Sequence, residues 1–175
     1  MRRTALVVLC CLAPLSGVRA QNLAWWVTWS IRPTASEVEG VPVQVLDPSW
    51  RRVSIIRRSD LPAAANRAGQ GLPEDYGLAL SVDTDLDGDD QDERVVVGAF
   101  ETAQGELGRF LLILGRAKDG KSWTKKAIFS VRNSTPFSAV DLRLGTLRWH
   151  GCLECDDVCT VVRSDSGFRL RCESL

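Results

Sequence analysis

The sequence predicts a mainly β fold, β-rich α+β in class: an antiparallel meander sheet with one short N-terminal helix and a disulfide-bonded C-terminal hairpin. Three observations carry this reading. Val95-Val-Val-Gly-Ala-Phe100 and Phe110-Leu-Leu-Ile-Leu114 are apolar at nearly every position, the pattern of strands covered on both faces. Leu78, Leu80 and Val82 alternate with Ala79 and Ser81, as in a half-buried strand. Turn residues separate the runs: Gln104-Gly105 with Gly108, Lys118-Asp-Gly-Lys121, and Ser164-Asp-Ser-Gly167.

The first twenty residues stand apart from the fold. Arg2 and Arg3 form a positive start, and Ala5 to Leu15 is an apolar core. Val18-Arg-Ala20 places small residues at the −3 and −1 positions of a cleavage site. The expectation is a signal peptide at 1–20 and a single β-rich domain at 21–175. The apolar run falls short of the roughly 20 residues that a membrane helix needs, and no later segment is suited to crossing a bilayer. Localisation is therefore expected to be periplasmic or secreted. Of the 22 bases and 22 acids, Arg2, Arg3 and Arg19 leave with the signal, so the mature chain is mildly acidic. Nothing in that balance points to nucleic acid as a partner.

In chain order, Asn22 to Ser30 reads as a strand in which Trp25, Val27 and Trp29 alternate with Trp26, Thr28 and Ser30. Its indoles either lie on the core or form an exposed platform for carbohydrate or protein. Val41 to Leu46 reads as extended. Asp47-Pro48 then opens a predicted helix over 47–58, with Asp47 as cap, Pro48 in the first turn, and Trp50, Val53 and Ile56 on one face. Arg51, Arg52, Arg57 and Arg58 would lie on its solvated side. Residues 63–77 form a loop. Strands are expected at Trp123 to Val131 and at Phe137 to Leu144. Asn133-Ser-Thr135 fits the N-glycosylation pattern.

The chemistry concentrates in 83–93, which holds seven acids in eleven residues and no base. Such a loop is either solvated or folded around a cation. With no His or Cys in it, the donor set is all oxygen, which suits calcium and disfavours zinc or copper. Counted from Asp83, an EF-hand needs a Glu where Arg94 stands and a helix where Val95-Val-Val97 follows. That register fails.

Counted from Asp85, the 14 residues Asp85-Leu-Asp-Gly-Asp-Asp-Gln-Asp-Glu-Arg-Val-Val-Val-Gly98 resemble the calcium loop of FG-GAP and VCBS repeats. In those repeats, acids at positions 1, 3, 5 and 9 and the carbonyl of position 7 hold calcium between two strands. The resemblance implies side-chain ligands at Asp85, Asp87, Asp89 and Glu93 and a main-chain ligand at Gln91. Two positions depart from the family: Asp90 stands where Gly is usual, and Glu93 where Asp is usual. Asp83 and Asp92 are left as spare, solvated acids. The repeat occurs once here, so the multi-copy propeller and adhesive role of the family do not carry over.

After the signal, four cysteines remain: Cys152, Cys155, Cys159 and Cys172. In an exported chain an even number reads first as disulfides. With Asp165 and Ser166 at the centre of a two-residue turn, Ser164 faces Gly167, Val161 faces Leu170 and Cys159 faces Cys172. That site is non-hydrogen-bonded, with Cα atoms roughly 4.5 Å apart, within disulfide reach. Cys152–Cys155 would be the second bridge. A four-cysteine zinc site and a redox-active Cys152/Cys155 pair stay open as alternatives. His150, the sole histidine, has no nucleophile motif beside it, and an enzyme is not the favoured reading. The functional expectation is a calcium-stabilised envelope or secreted binding module with a protein or carbohydrate partner. The alternatives are a small thiol-disulfide oxidoreductase and a carbohydrate-binding module.

Overall fold

The computed structural model describes residues 24–66, 71–154 and 158–172. The predicted signal and Cys155 lie outside these. The fold is mainly β and antiparallel, as expected, with short helices α1 (Trp25–Thr28) and α2 (Val43–Leu46). Its strands form two main sheets, each with consecutive antiparallel strands side by side. The first is β3 (Trp50–Ile55), β5 (Glu93–Thr102), β6 (Leu107–Arg116) and β7 (Trp123–Arg132) in that order, and β4 (Ser81–Thr84) shares the β3 edge of β5. The second runs β11 (Gly167–Cys172), β10 (Val158–Ser164), β9 (Thr146–His150) and β8 (Ala139–Arg143). A small ribbon of β1 (Glu37–Val38) and β2 (Val41–Pro42) turns at Glu39 and Gly40, both with positive φ, the backbone that a tight two-residue hairpin turn requires.

Strands β5 and β6 are central and buried on both faces. On one face Val96, Phe100, Phe110, Leu112 and Leu114 pack with Val38, Val41, Val43, Leu46, Trp50 and Val53. On the other, Val95, Val97, Leu111 and Ile113 meet Val140, Leu147, Trp149 and Val161 of the second sheet. This double cover explains why neither strand alternates in sequence. A single bridge, Ala79 to Val140, joins the sheets beside β4. Among the described residues, no helix is long and apolar enough to cross a membrane.

Two local expectations are corrected. Residues Trp25–Thr28 form a helical turn, not a strand. A strand would send the adjacent Trp25 and Trp26 to opposite faces. The helical turn buries both, and it brings Trp26, Trp29 and Phe137 edge-on to Trp25 at 5.9, 6.2 and 5.3 Å. With Trp25 and Trp26 only 3% and 6% exposed, they are core and not an exposed platform.

The predicted helix over 47–58 is β3 instead. Asp47 Oδ1 accepts the N–H and hydroxyl of Ser49, a local turn that competes with helix capping. A register shift between Trp50 and Arg52 makes Arg51 an extra residue. Trp50 and Val53 therefore share a face although they lie three apart. Ile56, three further on, packs on the opposite side of the sheet. A bulge thus imitated the helical period. Helix α2 replaces the second half of the predicted extended run at Val41 to Leu46.

Candidate metal centre

The acidic loop connects β4 to β5, whose register places Asp83 opposite Arg94 and Thr84 opposite Glu93. Asp83 is not a solvated spare acid. Its two oxygens accept Arg94 Nε and Nη2, each at 2.9 Å. This fork holds the Asp83 carboxyl below its ordinary range. Arg94 and Arg116 also lie over Trp123 at 5.0 and 3.8 Å, so the mouth of the hairpin is fixed from both strands and from β7.

Within the loop, Asp85 organises the backbone. Its Oδ1 accepts the N–H groups of Gly88 at 2.6 Å and Asp89 at 3.3 Å, and its Oδ2 accepts that of Asp90 at 3.0 Å. Desolvation pushes the Asp85 carboxyl up, but these amide donors outweigh it and leave the pKa lowered. Asp89 Oδ1 accepts the Gln91 N–H at 2.9 Å. Gly88 and Asp90 both have left-handed backbone, with φ of 74° and 62°. Asp tolerates that region better than most residues, so the Gly-to-Asp departure at position 90 is accommodated.

Oxygens of Asp85, Asp87 and Asp89 all lie within 4.8 Å of one another. Two oxygens on one calcium, each about 2.3–2.6 Å away, can be at most about 5 Å apart. The three carboxylates are thus close enough to share a cation. Asp87 Oδ1 is buried without a hydrogen-bond partner. Glu93 lies outside this trio and is 1% exposed. Its Oε2 accepts the Leu86 N–H at 2.8 Å, which closes the base of the loop. Gln91 reaches the site through its N–H, as above.

The residue that sequence reasoning missed is Lys126 on β7. Its Nζ lies 2.5 Å from Glu93 Oε1, 2.7 Å from Asp87 Oδ2 and 3.8 Å from Asp89 Oδ2. Burial lowers the ammonium's pKa, but its bonds to Asp87 and Glu93 prevail and raise it overall. It stands 33 residues after Glu93, and no local pattern marks it among the other exposed bases of β7.

At the other end, β10 and β11 pair as expected, with Ser164 opposite Gly167, Val161 opposite Leu170 and Cys159 opposite Cys172. Cys159 and Cys172 form a disulfide with Cα atoms 4.1 Å apart. Their thiols are consumed, which removes the four-cysteine zinc reading. Cys152 follows β9, and its predicted partner Cys155 is outside the described residues. His150 is buried on β9, with Nε2 3.5 Å from Asp141 Oδ1. Burial lowers its pKa against the pull of Asp141. Arg148 forks onto the same carboxylate. The arrangement is a strand-to-strand polar contact between β8 and β9.

No protein-family model, no curated protein and no solved structure matches this chain.

Proposed function

We propose that residues 85–93 bind calcium and that the protein is an exported, calcium-stabilised β-rich module of the cell envelope or secreted space. Asp85, Asp87, Asp89 and Glu93 would supply side-chain oxygens and Gln91 its carbonyl, in the manner of the FG-GAP and VCBS loop that the sequence resembles. The observation that carries the reading is the convergence of Asp85, Asp87 and Asp89 within 4.8 Å on a loop shaped by left-handed Gly88 and Asp90. Repulsion among these carboxylates opposes such convergence, and a divalent cation relieves it. The role of the ion is structural: it would tie the β4–β5 connection to the central sheet. The partner that the module serves would be another protein or a carbohydrate.

Thermal unfolding in EDTA and in millimolar calcium, with Asp87→Ala alongside, tests this. Extracellular calcium modules have dissociation constants of about 10⁻⁴ to 10⁻³ M, and calcium at about 100 times that constant adds roughly 2.7 kcal/mol. The wild type is expected to melt higher in calcium, and the variant is expected to lose the difference. Equal melting of the wild type in both solutions would refute the calcium reading.

A further inference from the structure

We infer that Lys126 is the acidic loop's built-in counter-ion, and that calcium enters the loop by displacing the Lys126 ammonium. This rests on the calcium reading above and specifies how that site is controlled.

The strand is built to deliver the lysine. Between β6 and β7, Ile113 pairs with Ala127 and the next residue, Leu114, pairs with Lys125. Lys126 is therefore the extra residue of a bulge, a device that re-aims a side chain. Across the sheet, Gly115 leaves the space that the lysine stem crosses. A Cβ at Gly115 would overlap Lys126 Cε and come within 3.0 and 3.1 Å of Cδ and Cγ. No positive φ requires glycine at that position, so what it supplies is room.

The ammonium then does part of a metal's work. Its N–H groups reach Asp87 Oδ2 and Glu93 Oε1, with Asp89 Oδ2 3.8 Å away. These are three of the four carboxylates assigned to calcium. The lysine side chain is 27% exposed and Glu93 is 1% exposed, so the pair has one buried partner. Calcium that takes Asp87 Oδ2 and Glu93 Oε1 would lie about 2.3–2.6 Å from oxygens that Nζ now holds at 2.7 and 2.5 Å, which leaves no room for Nζ at its present place. Two cations cannot hold these positions together. Because the lysine is tethered, it competes at a high effective concentration. It preserves the shape of the loop without metal and weakens the apparent affinity for calcium.

The test is calcium affinity by titration calorimetry for the wild type, Lys126→Met, Lys126→Arg and Gly115→Ala. Lys126→Met keeps the stem and removes the charge. Gly115→Ala keeps every charge and crowds the stem off its path, which guards against a misfolded Met variant. Both are expected to bind calcium about tenfold more tightly or better, and Lys126→Arg is expected to stay near the wild type. Binding in Lys126→Met or Gly115→Ala alone, with none in the wild type, overturns displacement, because the ammonium would then exclude calcium and not yield to it. Equal or weaker binding in both of these variants overturns the inference and leaves the calcium reading standing. No binding in any of the four proteins overturns both.

Discussion

Two hairpins of this molecule solve the same problem by different means. The β10–β11 hairpin is closed by a two-residue turn and a disulfide between facing cysteines. The β4–β5 hairpin is closed by an acidic loop, a cross-strand Asp83–Arg94 fork and a lysine from a third strand. They approach each other, since a Cβ on Gly88 would lie 3.6 Å from Arg163 Nη1. One closure is covalent and insensitive to ions. The other is electrostatic, and its carboxylates are met by the Lys126 ammonium.

The comparison is broken most severely at the covalent end. A Cys159→Ala, Cys172→Ala double variant opens a link between residues 13 apart in sequence. A loop of about 15 residues corresponds to about 3 kcal/mol, or about 6–12 °C in melting temperature for a domain of this size. Calorimetry should find that loss equal in EDTA and in calcium. A loss that calcium changes would show the two hairpins to be coupled.

The ionic end is expected to yield less. Glu93→Ala removes the buried partner of Lys126 and the acceptor of the Leu86 N–H. Breaking a fully buried pair costs about 3–5 kcal/mol, but Lys126 is partly solvated and keeps Asp87. About 2 kcal/mol is therefore expected from urea unfolding in EDTA. Calcium should not restore it, because a proposed ligand is gone.

The smallest effect sharpens the contrast with an ordinary ion pair. Burial raises the Asp141 carboxyl and the Arg148 fork lowers it, with a net fall below 3.8. A depressed folded pKa means stability that is present above pH 3.8 and is lost as pH falls from there through the folded value. Asp141→Asn should be less stable than wild type at pH 6 by about 1.5 kcal/mol, the low end for a hydrogen bond to a charged group. That gap should close below pH 3.8 and stay unchanged by calcium.

What could be read in the sequence followed the range of the interactions. The β10–β11 register was legible because a two-residue turn fixes every pair above it, so Cys159 met Cys172. The central strands β5 and β6 were legible because continuous apolar runs require cover on both faces. Three features were not. The bulge at Arg51 gave Trp50 and Val53 a helical spacing on a strand. The helical turn at Trp25–Thr28 sets the Trp25 indole on Phe137, more than a hundred residues away. Lys126 reaches the acidic loop through sheet pairing and a second bulge, neither of which leaves a local mark. In each case a distant part of the chain decided what a local window could not.

The most direct test of the central claim is a calcium titration of the ¹⁵N-labelled protein followed by amide NMR. The expected result is a saturable shift of the Gly88, Asp89, Asp90 and Gln91 amides, together with Leu86 and Lys126, while the β10–β11 amides stay still. Unmoved loop amides at 10 mM calcium, on the order of ten times the weakest constant for such modules, would contradict the claim and leave the acidic loop held by Lys126 and its own hydrogen bonds.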